Sequence, residues 1–344
     1  MDRVLDCHFL RRFGVEIELN TFDGIIKKLN EDNGEIPLGA EVVACMISKL
    51  LRKKVQIDGW HYTHNNDCWV VKPDSSCGIE VCTPVLKGWK GLRSLLRVIR
   101  ALNQHEIRSD KRCSMHVHVN IADLNRDQLA SVIAHYIKCE HVIYDCFPPF
   151  RKNNRYCQFI GMTDLFWDTF PMDPDEIINR VSGFKYYSIN AYHFIKGGGF
   201  TMRNARKQTL EFRIAENDAC LDPYFTKNWI RFILHFVEVT KDRPLPNEYK
   251  EGDPSTGLLL LDPKDVFKLL KFDEPLSGGL GQVKQWMLGR CLQHGWDADL
   301  PGVWSNKGRA MARSEFLDYL KSAMSEQEIT DSREERLFAK NYIL

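Results

Sequence analysis

The sequence contains Arg12-Phe13-Gly14-Val15-Glu16-Ile17-Glu18-Leu19-Asn20, a segment in which apolar and polar residues alternate. Successive side chains of a β-strand point to opposite faces of its sheet, so this alternation predicts a strand. One face of the strand carries Val15, Ile17 and Leu19. The other face carries Glu16 and Glu18, so two carboxylates point the same way.

Later segments with β-rich composition extend this pattern. The predicted strands are Asp67–Lys72, Gly78–Thr83, Cys113–Ile121, Lys185–Ala191 and Thr209–Ala215, the first two forming a hairpin. Their polar faces carry Glu80, His116, His118, Asn120, Asn190, Glu211 and Arg213. If these strands pair in one antiparallel sheet with helices on the apolar side, the polar faces form a concave wall rich in carboxylates.

Amphipathic spacing predicts helices between and after the strands. The predicted helices are Gly39–Lys54, Trp89–Gln104, Asn125–Asp145, Pro223–Lys241, Pro263–Phe272, Gln282–Gln293 and Arg313–Ser325. We therefore predict an α+β protein with a catalytic domain at residues 1–242, a linker at 243–261 and a mainly helical C-terminal extension at 262–344.

Composition excludes several classes of protein. Among 344 residues, 47 Lys and Arg oppose 46 Asp and Glu, and this balance gives no basic surface typical of nucleic-acid binding. No apolar run is long enough for a membrane span. The first residues lack the apolar core of a secretion signal, so we expect a cytoplasmic protein. The 11 cysteines form no Cys-x-x-Cys pair, which is typical of reduced thiols rather than of a zinc ribbon.

The gathered carboxylates indicate a bound cation, because like charges repel unless cations lie among them. Oxygen ligands in an incomplete protein cage favour Mg²⁺ carrying a phosphorylated substrate, so a metal nucleotide is the expected ligand. The planar guanidinium of Arg213 is suited to a phosphate, or to the charge that develops during phosphoryl transfer.

These segments resemble the amidoligases, ATP-dependent carboxylate–amine ligases with the fold of glutamine synthetase and glutamate–cysteine ligase. The matching motifs are Arg12-Phe13-Gly14-Val15-Glu16-Ile17-Glu18, Gly78-Ile79-Glu80-Val81-Cys82-Thr83-Pro84, His116-Val117-His118-Val119, Tyr187-Ser188-Ile189-Asn190 and Thr209-Leu210-Glu211-Phe212-Arg213. The resemblance covers residues 12 to 240 and leaves the C-terminal segment uncovered. It implies a curved antiparallel sheet that holds ATP and Mg²⁺ or Mn²⁺, and transfer of the γ-phosphoryl group to a carboxylate that an amine then attacks.

The resemblance also implies roles for individual residues. Those implied as metal ligands are Glu16, Glu18, His118 and Glu211, while either histidine of the His116–His118 pair is a candidate contact to metal or to phosphate. Glu80 resembles a metal ligand or a carboxylate of the amine site. Arg213 resembles the arginine that stabilises the transferred phosphoryl group, and Asn190 resembles a nucleotide or substrate contact.

Two departures from the family pattern accompany the resemblance. The family usually has glycine just before the paired histidines, where this chain has Cys113-Ser114-Met115, and it usually has Ser-Pro where this chain has Thr83-Pro84. Both departures concern the local backbone approach to substrate more than the metal site.

Two further residues are weaker candidates. Asp74, in the turn of the predicted hairpin, is a candidate base for the attacking ammonium, and Arg155 is a candidate contact to substrate carboxylate or nucleotide phosphate.

Other functions remain open at this point. A zinc-dependent hydrolase would use His116 and His118 with Glu80 or Glu211 to activate water. A module that binds a small anion or peptide without catalysis is the second alternative. The expected partners of a ligase are small-molecule or peptide carboxylates and amines, whose identity the residues do not specify.

Overall fold

The structure is a computed structural model that describes residues 10–20, 38–59, 67–105, 107–152, 154–160, 173–196, 208–245, 263–272 and 280–294. The predicted helix at Arg313–Ser325 and most of the predicted linker at 243–261 lie outside the described residues.

The strands are β1 (Arg12–Leu19), β2 (Val55–Ile57), β3 (Trp69–Asp74), β4 (Gly78–Cys82), β5 (Leu86–Lys87), β6 (Met115–Asn120), β7 (Ile189–Asn190) and β8 (Thr209–Ala215). The helices are α1 (Leu38–Leu51), α2 (Gly88–Gln104), α3 (Arg126–Asp145), α4 (Pro149–Lys152), α5 (Pro174–Ser182), α6 (Tyr192–Lys196), α7 (Asp218–Leu221), α8 (Pro223–Thr240), α9 (Pro263–Leu269) and α10 (Leu280–His294). The fold is therefore α+β, with a mostly antiparallel sheet and helices, as the sequence predicts.

Two local differences from the predicted elements have physical causes. The seventh strand is confined to Ile189–Asn190, because Tyr187 instead forms an isolated bridge with Gln158. Strand β2, which the sequence pattern did not indicate, contains three residues and pairs in parallel with β3. A segment this short has no measurable alternation.

The chain divides into two compact units. The sheet unit comprises the described residues of 9–119 and 213–230, and the helical unit comprises those of 120–212 and 231–341. Strand β8 and helix α8 each contribute residues to both units.

In the sheet unit the strand order is β2-β3-β4-β1-β6, followed by the end of β8, and β5 also pairs with β1. Both neighbours of β1 are antiparallel to it. Helix α1 packs against β2 and β3, and helix α2 packs against α1 and β5. Fully buried aliphatic side chains from strands and helices form the core, among them Val15, Ile17, Val81, Val117, Ile47, Leu92 and Leu95.

In the helical unit, α3 is almost entirely buried from Leu129 to Asp145 and contacts α5, α9 and α10. It begins with a capping box, in which the Asn125 side chain accepts from the Gln128 amide and the Gln128 side chain accepts from the Asn125 amide. Tyr136 of this helix packs edge-to-face against Phe212 and Phe236. No helix among the described residues combines the length and the apolar character needed to cross a bilayer.

Candidate active site

The register of four strands places charged and polar side chains on one face of the sheet unit. Glu16 pairs with Cys82 on one side and with His116 on the other, while Glu18 pairs with Glu80 and Gly14 pairs with His118. Lys72 of β3 pairs with Glu80. Directly paired residues point to the same face, so we define the carboxylate face as Glu16, Glu18, Lys72, Glu80, Cys82, His116 and His118. The prediction that the glutamates of β1 and β4 share a face with the two histidines is confirmed.

Glu16 lies between the two histidines. Its Oε2 is 3.3 Å from Nδ1 of His116, and its Oε1 is 3.2 Å from Nε2 of His118. The Glu16 side chain is 19% exposed, whereas the side chains of His116 and His118 are 7% and 10% exposed. A ligand can therefore reach this carboxylate from solvent while the imidazoles stay within the protein.

Ser114, the residue before β6, joins Glu18 to His116. Its hydroxyl donates to Oε2 of Glu18 at 2.7 Å and lies 2.8 Å from Nε2 of His116. A hydroxyl has one hydrogen, so with that hydrogen on Glu18 the Ser114 oxygen accepts from a protonated Nε2 of His116. Because its other ring nitrogen faces Glu16, His116 is engaged at both nitrogens.

Glu80 is bound by two different neighbours on the carboxylate face. Its Oε2 forms an ion pair with Lys72 Nζ at 2.9 Å, and its Oε1 accepts from the thiol of Cys82 at 3.1 Å. Burial and the nearby negative charge of Glu16 raise the pKa of Glu80, while Lys72 acts in the opposite direction. Burial alone would lower the pKa of Lys72, but the Glu80 carboxylate raises it, so the ammonium stays charged.

Cys82 is a protonated thiol within this cluster. Burial, followed by the negative charges of Glu80 and Glu16, raises its pKa. One ligand atom each from Glu16, Glu80 and Cys82 lie within 4.8 Å of one another, which is close enough to hold one metal ion. The carboxylate oxygens of this group fit Mg²⁺ or Mn²⁺, whereas the Cys82 sulfur would bind a metal only as the thiolate.

Asp74, at the end of β3, is hydrogen-bonded to the turn that follows it. Its Oδ1 accepts hydrogen bonds from the backbone amides of Ser76 and Cys77 at 2.7 and 3.2 Å, and from the Ser76 hydroxyl. Burial alone would raise the pKa of Asp74, but these hydrogen bonds lower it. Asp74 therefore stabilises the β3–β4 turn and is a weaker base than a free carboxylate.

Arg213 lies on the part of β8 that belongs to the sheet unit. It is partly exposed, on the opposite face of the strand from the buried residues Phe212 and Ile214. This places its guanidinium on the polar face of β8, as the alternation predicts.

The remaining predicted site residues belong to the helical unit. Asn190 pairs with Glu211 in the β7–β8 register, and its Nδ2 donates to Glu211 Oε2 at 3.3 Å and to the Lys185 carbonyl at 3.0 Å. Arg155 is exposed, donates to the Tyr156 hydroxyl at 2.6 Å and stacks over that ring. The roles of Asn190, Glu211 and Arg155 toward metal and nucleotide stay predictions.

The comparison with known protein families agrees with this geometry. A family described as "Putative amidoligase enzyme" matches residues 10–237, which is more than half of the chain. The chain belongs to the amidoligase family. None of the curated proteins matches the sequence. The family's description denotes a ligase, so membership implies an enzyme of that kind.

The matched range of this amidoligase contains the whole carboxylate face, together with Arg213 and Glu211. Helices α9 and α10 lie beyond it. The resemblance identified from the motifs is therefore confirmed at the level of the family.

Sequence reasoning missed three residues of the candidate site. Lys72 of β3 lies opposite Glu80 of β4, and Cys82 of β4 lies opposite Glu16 of β1. The register of the β3–β4 hairpin is the signal that could have found these two residues. Ser114 precedes β6 but lies within the predicted strand Cys113–Ile121, on the same face as His116 and His118, so the alternation itself was a signal.

Thr83, at the second departure from the family pattern, joins the end of β4 to β1. Its hydroxyl accepts from the Val15 amide at 2.9 Å, and its own amide donates to the Val15 carbonyl at 2.9 Å. A serine has the same hydroxyl group, so threonine in place of serine keeps these hydrogen bonds between β1 and the end of β4.

Proposed function

We propose that this amidoligase is an ATP-dependent carboxylate–amine ligase that forms an amide or isopeptide bond through an acyl phosphate. The observation that carries the proposal is the carboxylate face, on which three glutamates and two histidines converge in one unit of an amidoligase-family chain. A glutamine synthetase-like, curved sheet is part of the proposal. The proposed substrates are small-molecule or peptide carboxylates and amines in the cytoplasm.

The carboxylate face supplies the proposed metal ligands. Glu16, Glu18 and His118 would hold Mg²⁺ or Mn²⁺, with Glu211 as a further ligand. When bound, the metal neutralises phosphate charge during phosphoryl transfer. His118 is the proposed metal ligand and His116 the proposed phosphate contact, and Ser114 and Glu16 orient the His116 ring from its two nitrogens.

Two cationic side chains complete the proposed chemistry. Arg213 would stabilise the charge on the transferred phosphoryl group, because its planar fork matches phosphate oxygens. Lys72 holds Glu80 at 2.9 Å and keeps this buried carboxylate fixed on the face. Of the two carboxylates predicted as catalytic, Glu80 lies on the carboxylate face, whereas Asp74 is bound into a turn, so Glu80 is the proposed carboxylate of the amine site.

The test is release of ADP from ATP in the presence of Mg²⁺ or Mn²⁺, with pooled amino acids and peptides as acceptors. Glu18→Gln is expected to lower the rate by about a hundredfold or more, since it removes a charged ligand of the metal. Glu176→Gln is the matched control, because Glu176 forms a partly exposed pair with Arg180 on α5 in the other unit.

Each other outcome has a defined meaning. Failure to bind nucleotide with either metal would contradict the ligase. Binding of nucleotide without turnover, for every acceptor tried, would favour a binding module.

A zinc-dependent hydrolase is the second candidate, and the observation in its favour is Cys82. The Cys82 sulfur beside Glu16 and Glu80 would be a soft ligand that suits Zn²⁺ better than Mg²⁺, with its thiol proton released when the metal binds. This candidate requires tightly bound stoichiometric zinc and activity without ATP. Metal analysis of the purified protein and an ATP-free hydrolysis assay distinguish it from the ligase.

A further inference from the structure

Ser114 is a buried polar residue that the proposed mechanism does not use. It is 5% exposed, and its hydroxyl lies within hydrogen-bond distance of two residues of the carboxylate face. One of these, Glu18, is a proposed metal ligand. The other, His116, is the proposed phosphate contact.

The backbone around Ser114 fixes the position of this hydroxyl. Its carbonyl accepts from the Glu18 amide at 3.1 Å and from the thiol of Cys220 at 3.3 Å. Cys220 is itself fully buried in α7. Ser114 is therefore held from β1 and from α7, so its hydroxyl can impose a position on the Glu18 side chain.

The Ser114 hydroxyl restricts what Glu18 can do. It occupies Oε2 at 2.7 Å, while Oε1 lies 3.6 Å from Nε2 of His116. A long carboxylate side chain loses rotamer freedom when it binds a metal, and a hydrogen bond that orients it beforehand reduces this cost. Glycine or alanine at this position has no group that can do so.

We propose that Ser114 is a positioning residue that orients Glu18 for divalent-metal binding, so that the metal affinity of this site depends on its hydroxyl. The inference rests on the proposed function insofar as Glu18 is a metal ligand. It goes further in assigning a role to a residue of Cys113-Ser114-Met115, the segment in which this chain departs from the usual family pattern.

The experiment is a titration of the full-length protein with Mn²⁺ in the absence of nucleotide, with free Mn²⁺ measured by electron paramagnetic resonance. Ser114→Ala is expected to weaken Mn²⁺ binding by about tenfold or more, which is the usual effect of removing such an orienting partner. Ser114→Thr retains the hydroxyl and is expected to retain most of the affinity. Ser131→Ala is the matched control, because Ser131 is a buried serine of α3 whose hydroxyl bonds the carbonyls of Thr240 and Arg243.

A double-mutant cycle separates positioning from a general structural effect. In the Glu18→Gln background, Ser114→Ala is expected to have little further effect on Mn²⁺ affinity, because Ser114 acts through Glu18. An equal further loss in that background would overturn the proposal, and so would wild-type affinity in Ser114→Ala. If Ser114→Ala fails to fold, Ser114→Gly is measured in its place.

The titration and the ADP assay fail independently. Weakened Mn²⁺ binding in Ser114→Ala without ADP formation by the wild type would support the role of Ser114 and contradict the ligase. Normal ADP formation by the wild type, with unchanged Mn²⁺ affinity in Ser114→Ala, would support the ligase and contradict the role of Ser114. A wild-type protein that binds no Mn²⁺ would overturn the role of Ser114.

Discussion

At the scale of single residues, the partly buried Lys72 shows how a buried carboxylate is kept charged beside a second negative charge. Its ammonium is paired with Glu80, whose side chain is only 7% exposed and which also faces the negative charge of Glu16. Removal of the ammonium would leave Glu80 with a negative neighbour and no ionic partner among the contacts described. A buried charge that loses its partner is costly, because the desolvation penalty is no longer compensated.

Lys72→Met is therefore expected to lower the free energy of unfolding by about 2 kcal/mol at neutral pH. The measurement is urea denaturation followed by circular dichroism. The Lys72→Met/Glu80→Gln double variant removes the uncompensated charge as well, so it is expected to lose less stability than the two single changes added together. Additive losses would show that the pair is not coupled.

The sequence predicted the residues of this site better than it predicted their contacts. Alternation alone placed Glu16, Glu18 and Glu80 on polar faces, because the period of a strand is a local property. The Lys72–Glu80 pair and the bridge from Ser114 to Glu18 depend on which strands are neighbours and in what register. These are long-range properties, and no pattern within one segment specifies them.

At the scale of an element, helix α3 contains a histidine that burial keeps uncharged. His135 is 2% exposed, and its Nδ1 donates to the Ser131 carbonyl at 2.8 Å. Burial, with a smaller effect from the positive charges of Arg243 and Lys138, lowers the pKa of His135 from 6.5 to about 4. The folded protein therefore binds a proton at His135 less readily than the unfolded chain does.

The stability that neutral His135 contributes is present above pH 6.5 and is lost as the pH falls from 6.5 towards about 4. The glutamine of His135→Gln does not bind a proton in this range. The free energy of unfolding of this variant is therefore expected to fall by about 2 to 3 kcal/mol less than that of the wild type over the same interval. Urea denaturation at several pH values measures the difference. Parallel stability profiles for both proteins would contradict the assignment.

Most elements could be predicted because they are long and strongly patterned, and α3 with its capping box is the clearest case. The exceptions are mostly short elements, together with the nine-residue helix α5, for which no element is predicted. Strand β2 forms because α1 and β3 present a partner for three residues, and β7 is cut short because Tyr187 pairs with Gln158. Tertiary contacts decide such segments, and local propensity does not.

At the scale of the whole molecule, the sheet unit is built from two distant parts of the chain, residues 9–119 and 213–230. The later part supplies the end of β8 and helix α7, with Ala219, Cys220 and Phe225 buried. Ala219 and Cys220 belong to the same core as β1 and α2, since α7 packs against both.

A fragment that ends at residue 119 is therefore expected not to unfold cooperatively, because it lacks the core contributed by residues 213–230. Thermal denaturation followed by circular dichroism, with the full chain as reference, tests this. A sharp, reversible transition in the fragment alone would show that the first part of the sheet unit is self-sufficient.

The strand order also bears on synthesis at the ribosome. The β6 strand, which carries both histidines, is followed in the sheet by β8, yet the two are separated in the chain by α3 to α6. While the nascent chain grows through those helices, the outer edge of β6 has no β8 beside it. An open strand edge is a template for wrong pairing, so the histidine strand is exposed to mispairing until residue 215 has emerged.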